Sequence, residues 1–368
     1  MSGSSDNHAR PLGVGIIGAN PDRGWARDAH IPALAALDDF DLRAVSTSRP
    51  ESARAAARQF GVEGFDSHQA LVGQPDVDLV VITVKVPAHR ALVTAALEAG
   101  KHVLCEWPLG NGLAEAQALA DLAGRSPGRA FVGLQARSSP VIRYVRDLVA
   151  DGYVGEVLAT TLTASGMAWG NAIDNANAYI NDRDNGASLL TIPFGHAVDA
   201  LCWCLGEFDS LTSTLATRQP WIVNADTGEK LPRTVADQVV VSGRLSSGTV
   251  AAIHYRGGAS RGDNLLWTIH GTDGELMLRA GHGHLQIAGP RLYGARGSDT
   301  DLAGLDTPSY YSRAPRVPAG PAFNVGQAYA GLAADIRNGT NGIPGFDDAV
   351  NRHRLIEEIS AGRMFPES

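Results

Sequence analysis

Over the first 135 residues, short apolar runs alternate with longer segments whose apolar positions recur at helical spacing. One run, residues 78–83, is apolar almost throughout, as expected of a strand buried on both faces of a sheet. Strands are predicted at Leu12–Ile17 and at residues 42–46, 78–83, 102–105 and 130–134, and helices at residues 25–37, 50–60, 88–99 and 112–123. Strands that alternate with helices at this spacing predict a parallel, doubly wound sheet.

After about residue 155 the apolar runs become short and closely spaced, and turn-like pairs such as Ser247-Gly248 join them. This pattern predicts a largely antiparallel sheet. Its strands are predicted at residues 157–165, 209–217, 238–245, 249–256, 264–271, 275–279 and 284–288, with helices at 137–150, 196–205, 326–337 and 347–360. Residues 289–321 are rich in Gly, Pro and Ser and are predicted to be a long loop.

Composition narrows the class of protein. Of 368 residues, 44% are hydrophobic and 19% charged, so the chain can bury a substantial core, and its formal net charge of −8 lacks the basic footprint of a nucleic-acid binder. No apolar run approaches the roughly 20 residues of a membrane span, and residues 1–10 lack the apolar segment of a secretory signal. Three cysteines cannot form a disulfide framework. We expect a cytoplasmic globular protein that binds neither nucleic acid nor membrane.

A glycine fingerprint is predicted to lie directly after the first strand. Gly13, Gly15 and Gly18 have the spacing G-x-G-x-x-G, which in a strand–turn–helix context indicates a dinucleotide-binding Rossmann domain. The loop that follows is longer than usual and begins at Asn20. We therefore expect a flexible N-terminus at 1–10, a Rossmann NAD(P)-binding domain at 11–135 and a second domain at 136–368.

The tip of the second strand bears on the choice of cofactor. An acidic residue at this position would bind the ribose 2′-hydroxyl of NAD, but the sequence offers Ser46, Thr47, Ser48 and Arg49. Hydroxyls and a guanidinium suit a 2′-phosphate, which favours NADP and leaves NAD as the alternative. Arg49 could equally be a solvated residue of the next helix.

Several further motifs resemble the glucose–fructose oxidoreductase/inositol dehydrogenase/MocA (Gfo/Idh/MocA) family, and within it the subgroup of the yeast galactose-regulon repressor. The motifs that resemble the family are Val81-Ile-Thr-Val-Lys-Val-Pro-Ala-His89, Glu106-Trp107-Pro108, Gly152-Tyr-Val-Gly-Glu156 and Pro344-Gly-Phe-Asp-Asp348. Those that resemble the subgroup are Gly24-Trp25, Glu106-Trp107, Leu134-Gln-Ala-Arg-Ser-Ser-Pro140 and Phe194-Gly-His-Ala-Val-Asp199. The resemblance covers nearly the whole chain.

The resemblance implies a Rossmann domain followed by an α/β domain with a large, mostly antiparallel open sheet, which binds substrate and often forms the subunit interface. A homodimer or higher homo-oligomer is therefore expected, and the C-terminal helix is a candidate to pack back on the first domain. Val84, His89, Glu106 and Gln135 join the expected cofactor-binding residues.

Two catalytic groups of the family are absent. Family enzymes usually carry Glu-Lys-Pro, whose lysine assists proton transfer beside the nicotinamide, and here that position is Trp107. The family also tends to place Asp four residues before a helical His; His196 is present, but Ile192 stands at the Asp position. A positioned acid or base is worth about 10²–10⁴-fold in rate, so the loss is large.

Other residues are candidates to replace these groups. Lys85 follows the predicted strand at residues 78–83, and His196 has a side chain suited to proton transfer near neutral pH. The alternatives are a solvated loop cation and a structural histidine that bridges through Asp199. Trp107, Trp169 and Tyr179, with Asp199, are candidate substrate-binding residues, although each aromatic ring could equally belong to the core. A metal site at His282-Gly-His284 is not expected, because no further ligand cluster is evident.

The sequence therefore favours an NAD(P)-dependent oxidoreductase of a sugar-like or cyclic alcohol or ketone. The missing lysine keeps two alternatives open: a catalytically silent NAD(P)-sensing regulatory or binding protein, and a redox-neutral lyase with retained cofactor.

Overall fold

The computed structural model describes residues 10–364, so the predicted flexible N-terminus, apart from Arg10, lies outside the described residues. The first half of the chain builds a parallel six-stranded sheet of order β3-β2-β1-β4-β5-β6. Its strands are β1 (Leu12–Ile17), β2 (Phe40–Ser46), β3 (Glu63–Phe65), β4 (Leu79–Ile82), β5 (His102–Glu106) and β6 (Ala130–Gly133). Helices α1 (Ile31–Ala35), α2 (Pro50–Phe60), α3 (His68–Val72), α4 (His89–Glu98) and α5 (Leu113–Ala123) connect them.

The strand order reverses between β1 and β4, which are neighbours in the sheet. From β1 the strands β2 and β3 are added on one side, and from β4 the strands β5 and β6 are added on the other. In an open parallel sheet, the loops diverge at this point and leave a crevice at the carboxyl ends of the strands. The doubly wound fold predicted from the apolar pattern is confirmed, and it places this crevice beside Gly18, Ser46 and Thr83.

The second half builds a nine-stranded sheet of order β17-β16-β15-β14-β7-β13-β12-β9-β18 and a small sheet of order β11-β10-β8. The strands are β7 (Val157–Gly166), β8 (Ala172–Ile173), β9 (Phe208–Ala216), β10 (Trp221–Asn224), β11 (Lys230–Pro232), β12 (Gln238–Leu245), β13 (Val250–Gly257), β14 (Leu265–Gly271), β15 (Gly274–Ala280), β16 (Arg291–Arg296), β17 (Ala303–Leu305) and β18 (Arg363–Met364). Helices α6 (Pro140–Ala150), α7 (Gly195–Leu205), α8 (Pro321–Asn338) and α9 (Phe346–Ser360) accompany them. The large sheet is mostly antiparallel, as predicted; β7–β13 and β9–β18 are its parallel pairs.

Two predicted elements are wrong, and a third, the helix 25–37, is present from Ala26 to Ala35 but with a π-helical first part. Residues 284–288 form a turn in which the backbone N–H groups of Ile287 and Ala288 donate to His284 O, and strand β16 lies further on, inside the predicted loop 289–321. A neighbouring strand, β15, supplies the hydrogen bonds that make β16 a strand despite its glycine. The predicted helix 25–37 is a π-helical turn, Ala26–His30, followed by the short α1.

The last two helices close the core of the first sheet. One face of that sheet, including Val14, Ile16 and Val81, shares a buried cluster with Tyr329 and Leu332 of α8. Helix α9 packs beside α5, and the backbone N–H of Val132 in β6 donates to Pro344 O just before α9. The C-terminal helices therefore pack on the parallel sheet and bring the start of α9 close to the carboxyl ends of its strands.

Candidate active site

A cavity of about 470 Å³ occupies the crevice between β1, β2 and β4. Six residues expected at a cofactor line it, namely Gly18, Asn20, Thr47, Ser48, Arg49 and Val84. Gly18 has a φ of +100°, and a Cβ there would lie 2.7 Å from Val84 Cγ1, so the turn needs a glycine. A hydroxyl-lined cavity at this crevice fits a dinucleotide.

The first two glycines of the fingerprint do not reach this cavity, which corrects their assignment as cofactor-binding residues. Both lie inside β1, and a Cβ on Gly13 would sit 1.8 Å from Asp76 O, while one on Gly15 would sit 2.7 Å from Leu71 Cδ2. They let β1 pack closely against the segment before β4. The loop that meets the cavity instead begins at Gly18, five residues after Gly13, where the motif pattern places the turn.

Three residues that the sequence analysis missed also line the cavity: Ser52, Asp66 and His68. Asp66 and His68 follow β3, which is only three residues long and gave no apolar pattern. Arg49 precedes α2; its carbonyl oxygen accepts from the hydroxyls of Thr47 (3.2 Å) and Ser52 (3.0 Å). Its exposed guanidinium forms no ion pair within residues 10–364.

Glu106, at the carboxyl end of β5, belongs to a buried hydrogen-bond network. Its Oε1 lies 3.0 Å from His30 Nε2, and it accepts from Gln135 Nε2 at 2.7 Å. His30 Nδ1 in turn lies 2.8 Å from the Tyr329 hydroxyl on α8. The expected cofactor residues Glu106 and Gln135 therefore bind each other in the structure, and their polar atoms serve first to anchor α8 at this edge of the sheet.

His89 fastens the loop after β4. Its ring nitrogens lie 2.9 Å from Pro108 O and 3.0 Å from Val84 O, so it joins the loops that follow β4 and β5. Burial lowers the pKa of His89, and the carbonyl oxygens around it act in the opposite sense. The side chain holds Val84 at the cavity wall rather than lining the cavity itself.

Trp107 stands where the family lysine is expected, and its ring is buried. The indole Nε1 donates to Thr191 O at 2.6 Å, and the ring packs on the His353 ring of α9 with centroids 4.6 Å apart. A Cβ on Gly195 would lie 2.8 Å from Nε1, so the first residue of α7 must be small. Trp107 thus joins β5, α7 and α9, and its 5% exposure leaves little ring surface for a ligand.

His196 lies on the first turn of α7 and is 1% exposed. Neither ring nitrogen has a hydrogen-bond partner in the described part of the chain. Burial lowers the pKa of His196 to about 4, against the opposing effect of the negative charges of Glu106 and Asp199. The imidazole is therefore neutral at physiological pH, with one nitrogen able to accept a proton.

Lys85 and Tyr179 are brought together from the two halves of the chain. The Lys85 ammonium lies 4.2 Å from the centre of the Tyr179 ring, a cation–π contact between the loop after β4 and the 3₁₀ turn Ala178–Asn181. Lys85 is exposed, and burial raises the pKa of the half-buried Tyr179. Both groups are available at the surface of the site.

Trp169 is buried, and its Nε1 donates to Ile180 O at 3.2 Å. The ring of His284 stacks on it with centroids 5.7 Å apart and an interplanar angle of 28°. Trp169 is therefore covered by His284, which leaves little of its ring free for a ligand. In the sequence, His284 stands in the motif His282-Gly-His284, where a metal site is not expected.

Asp199 is fully buried among arginines. Its oxygens accept from Arg137 Nε (2.8 Å) and Nη2 (2.7 Å), and from Arg352 Nε at 3.2 Å. Arg137 also donates to Asp348 of α9 at 2.8 Å. The carboxylate therefore ties α7 to α9 and to the 3₁₀ turn before α6. It does not bridge to His196, whose ring nitrogens have no partner in the described residues, and its complete burial among the arginines corrects its assignment as a substrate-binding residue.

Residues 12–134 match the oxidoreductase family with an NAD-binding Rossmann fold, Gfo/Idh/MocA, and residues 140–280 match the Gal80p C-terminal domain. The chain belongs to the Gfo/Idh/MocA family. The predicted resemblance, including that to the galactose-repressor subgroup, is confirmed, and the first half of the chain is an NAD-binding Rossmann unit.

The relatives of this Gfo/Idh/MocA protein include both enzymes and a regulator. It is 29% identical to dehydrogenase aclE of Aspergillus oryzae over 95% of this chain and 96% of that protein. It is 27% identical to the galactose/lactose metabolism regulatory protein GAL80 of Saccharomyces cerevisiae, over 96% of this chain and 83% of that one. A solved structure of a Gal80p mutant from that yeast superposes with a TM-score of 0.85 at 24% identity, covering 95% of both chains.

Levoglucosan dehydrogenase is a third relative of this Gfo/Idh/MocA protein. The enzyme of Pseudarthrobacter phenanthrenivorans is 27% identical over 73% of each chain. A solved structure of levoglucosan dehydrogenase in complex with NADH and levoglucosan superposes with a TM-score of 0.82 at 23% identity, over 95% of this chain and 96% of that one. At this identity the superposition establishes the shared fold.

A metal-binding cluster and a membrane-spanning helix are both absent from residues 10–364. His, Cys, Asp and Glu side chains nowhere gather there in a group of three or more that could hold a metal ion. Among the helices described, none combines the length and apolar character needed to cross a membrane.

Proposed function

We propose that this protein is an NAD(P)-dependent oxidoreductase that oxidises a secondary hydroxyl of a sugar-like or cyclic alcohol, with His196 as the group that accepts the proton. The observation that carries the proposal is the buried, neutral imidazole of His196, whose ring nitrogens have no protein partner within the described residues. The dehydrogenases aclE and levoglucosan dehydrogenase among the relatives support an oxidoreductase.

The cofactor would lie in the cavity between β1, β2 and β4, held by Gly18, Asn20 and the hydroxyl-rich segment 46–49. When bound, it supplies the acceptor for the hydride that leaves the carbinol carbon. The chain's own residues then have two tasks: to hold the alcohol near the carboxyl end of β5, and to take up its hydroxyl proton.

His196 is in the protonation state that the second task needs in the direction of alcohol oxidation. Burial lowers its pKa to about 4, below the near-neutral value expected from the sequence, so almost all of the imidazole is in the proton-accepting form at neutral pH. The lowered pKa also makes the ring a weaker base than an imidazole that titrates near the working pH. The same low pKa makes it a poor proton donor for ketone reduction at that pH. The exposed Lys85 is the second candidate, because its ammonium reaches the site entrance through Tyr179.

We expect His196→Ala to lower kcat for alcohol oxidation by about 10²-fold with little change in cofactor affinity. The measurement is a steady-state assay of reduced nicotinamide with pyranoses and anhydrosugars, beside calorimetric titration of the cofactor. Because the imidazole titrates near pH 4, the wild-type rate should show no loss attributable to His196 between pH 6 and 8.

His270→Ala is the matched control, since His270 is exposed and pairs with Glu275 on the large sheet, away from α7. Lys85→Ala separates the two candidates, and full activity of both His196→Ala and Lys85→Ala would refute the acid–base assignment. Conversion of a sugar without net change in the nicotinamide would instead indicate the redox-neutral lyase.

An NAD(P)-binding regulatory protein is the second candidate function. Trp107, whose indole is buried and bonded to Thr191 O, favours it, because the family proton-transfer group is replaced by a packing residue. The regulatory protein GAL80 among the relatives also supports a regulatory function. Tight cofactor binding with no turnover of any alcohol or ketone in a broad screen would support this function over the enzyme.

We expect tighter binding of NADP(H) than of NAD(H). The Arg49 guanidinium, free of ion pairs in residues 10–364, and the hydroxyls of Thr47, Ser48 and Ser52 line the cavity where a 2′-phosphate would lie, and Asp66 is the one acidic residue on the same wall. A charge-assisted hydrogen bond is worth about 1.5–3 kcal/mol, so Arg49→Ala should weaken NADP(H) about 10–100-fold and leave NAD(H) nearly unchanged.

Calorimetry with both cofactors tests this preference. Arg49→Asp should reverse it, whereas Arg58→Asp, on the same helix but not at the cavity, is the control and should not. Equal affinities of the wild type for the two cofactors would contradict the prediction.

The large sheet leaves one face open, and we propose that it joins two copies of the chain. Val240 of β12 and Val250 of β13 are 39% and 61% exposed, and the strand register places both on this face. Apolar side chains on an uncovered sheet face are typical of an association surface. Light scattering at micromolar concentration should give at least a dimer mass, and Val240→Glu should shift it towards the monomer; a monomeric wild type would refute the interface.

A further inference from the structure

The turn between β15 and β16 is held rigidly beside the site. A Cβ on Gly283 would lie 1.8 Å from Ser165 O at the end of β7, so only glycine allows this approach. The Tyr255 hydroxyl donates to Gly283 O at 2.9 Å. From the other side, Asn324 of α8 donates to Gln286 O at 2.8 Å. The residue between these anchors, His284, is therefore held in a defined place.

The ring of His284 packs on an aromatic side chain, and its two ring nitrogens have no hydrogen-bond partner in the described residues. It stacks on the buried Trp169 and meets the edge of the His282 ring at a centroid distance of 5.3 Å. Within residues 10–364, no protein group hydrogen-bonds either of its ring nitrogens, although the ring is only half-buried. The imidazole is therefore positioned by Trp169 and His282, and its ring nitrogens are available to a polar ligand.

His284 and His196 are connected through packed side chains. Phe194, two residues before His196, packs edge-on against Tyr255 with centroids 5.8 Å apart, and Tyr255 binds the turn through Gly283. Burial lowers the pKa of His284 to about 3, and the charges of His282 and His196 lower it further. Both imidazoles are therefore neutral at physiological pH, and each offers one N–H donor and one nitrogen acceptor.

We infer that His284 is a sugar-binding residue of this site, which holds the hydroxyl next to the one that His196 deprotonates. The substrate class is then a ring with neighbouring oxygens, such as a pyranose or an anhydrosugar, and not an isolated alcohol. The stack on Trp169 fixes the plane of the imidazole, so the neighbouring hydroxyl is recognised in one orientation. This inference rests on the proposed function, because it concerns the same site.

His284→Phe tests it, since phenylalanine keeps the stack on Trp169 but loses both ring nitrogens. The probes are D-glucose, L-sorbose and levoglucosan, titrated by calorimetry into the full chain with NADP⁺ present, followed by deoxy analogues of the sugar that binds most tightly. We expect His284→Phe to weaken that sugar about 10-fold, as for the loss of one or two hydrogen bonds to a buried partner. His284→Gln, which keeps a donor and an acceptor, should restore most of the affinity.

The deoxy analogues identify the hydroxyl involved. The wild type should lose about 10-fold in affinity for one analogue, and His284→Phe should bind that analogue and the parent sugar equally. His270→Phe, on the far side of the large sheet, is the control and should bind as the wild type. Equal binding of the parent sugar by wild type and a folded His284→Phe variant, or no binding of any probe by the wild type, would overturn the inference.

Failure of the proposed function has a different signature. If the wild type binds sugar through His284 but transfers no hydride, the enzyme proposal fails and the sugar site stands. If it oxidises a sugar whose affinity does not depend on His284, the enzyme proposal stands and this inference fails.

Discussion

Asp199→Ala is expected to lower the free energy of unfolding by about 3–5 kcal/mol, because it leaves two buried arginines without their shared carboxylate. Arg352 is fully buried and Arg137 nearly so. Glu207 and Asp348 would remain as partners of these two guanidiniums, but both are partly exposed and each meets only one of them. The measurement is chemical denaturation at pH 7.

The effect should depend on pH in a defined direction. Burial alone would raise the pKa of Asp199, but the guanidiniums of Arg137 and Arg352 hold it below its usual range. Its contribution to stability is therefore fully present above the unfolded pKa of about 3.9, and it is lost as the pH falls from there through the folded pKa. The difference between wild type and Asp199→Ala should narrow below about pH 4.

Asp209→Ala is the matched control. Asp209 pairs with Arg244 on the surface, where both side chains are at least half exposed, and such a pair contributes about 0–1 kcal/mol. A loss as small for Asp199→Ala as for Asp209→Ala would show that the buried network does not hold α7 to α9.

Trp107→Ala is expected to cost about 3–5 kcal/mol of stability, as for other large aromatic residues removed from a core. The ring fills the space between β5, α7 and the His353 ring, and Gly195 leaves no side chain that could move in. Trp107→Phe should cost less, about 1–3 kcal/mol, since it keeps most of the ring but leaves Thr191 O without its indole donor.

Trp107→Lys tests whether position 107 still faces the nicotinamide, as the family lysine does. It would bury an ammonium in a space that holds an indole, so it should destabilise the protein at least as much as Trp107→Ala and should not create activity. Thermal denaturation and the sugar oxidation assay are measured together. A stable Trp107→Lys variant with new dehydrogenase activity would show that the position still faces the nicotinamide.

Trp203→Ala is a control for the general cost of removing an indole. Trp203 is only half-buried, and Arg146 lies 4.3 Å from its ring centre at the surface of α7. Its replacement should cost clearly less than that of Trp107, because fewer contacts and no buried hydrogen bond are lost.

The elements with a strong period were determined by the sequence. The apolar runs of β1 and β4, the helix Pro50–Phe60 and the alternating strand Gln238–Leu245 follow directly from local pattern, because their burial repeats with the period of the element. The segment Thr47–Arg49 was likewise recognisable as part of the cavity, since it directly follows a strand whose end must face the crevice. The absence of the family lysine could be read directly from the sequence, because Trp107 stands at its position.

Only the tertiary structure decided what those residues contact. Gly13 and Gly15 fit a motif by spacing, yet the backbone of Asp76 and the Leu71 side chain, distant in sequence, occupy the space beside them. The roles of Trp107 and His284 depend in the same way on Thr191 and Trp169, which approach from other parts of the chain. A one-dimensional pattern carries the period of an element, but burial, pKa shifts and unpaired polar atoms arise where separate elements meet. Such meetings distinguish the packed Trp107 from the buried, unpaired imidazole of His196 and from the half-buried imidazole of His284.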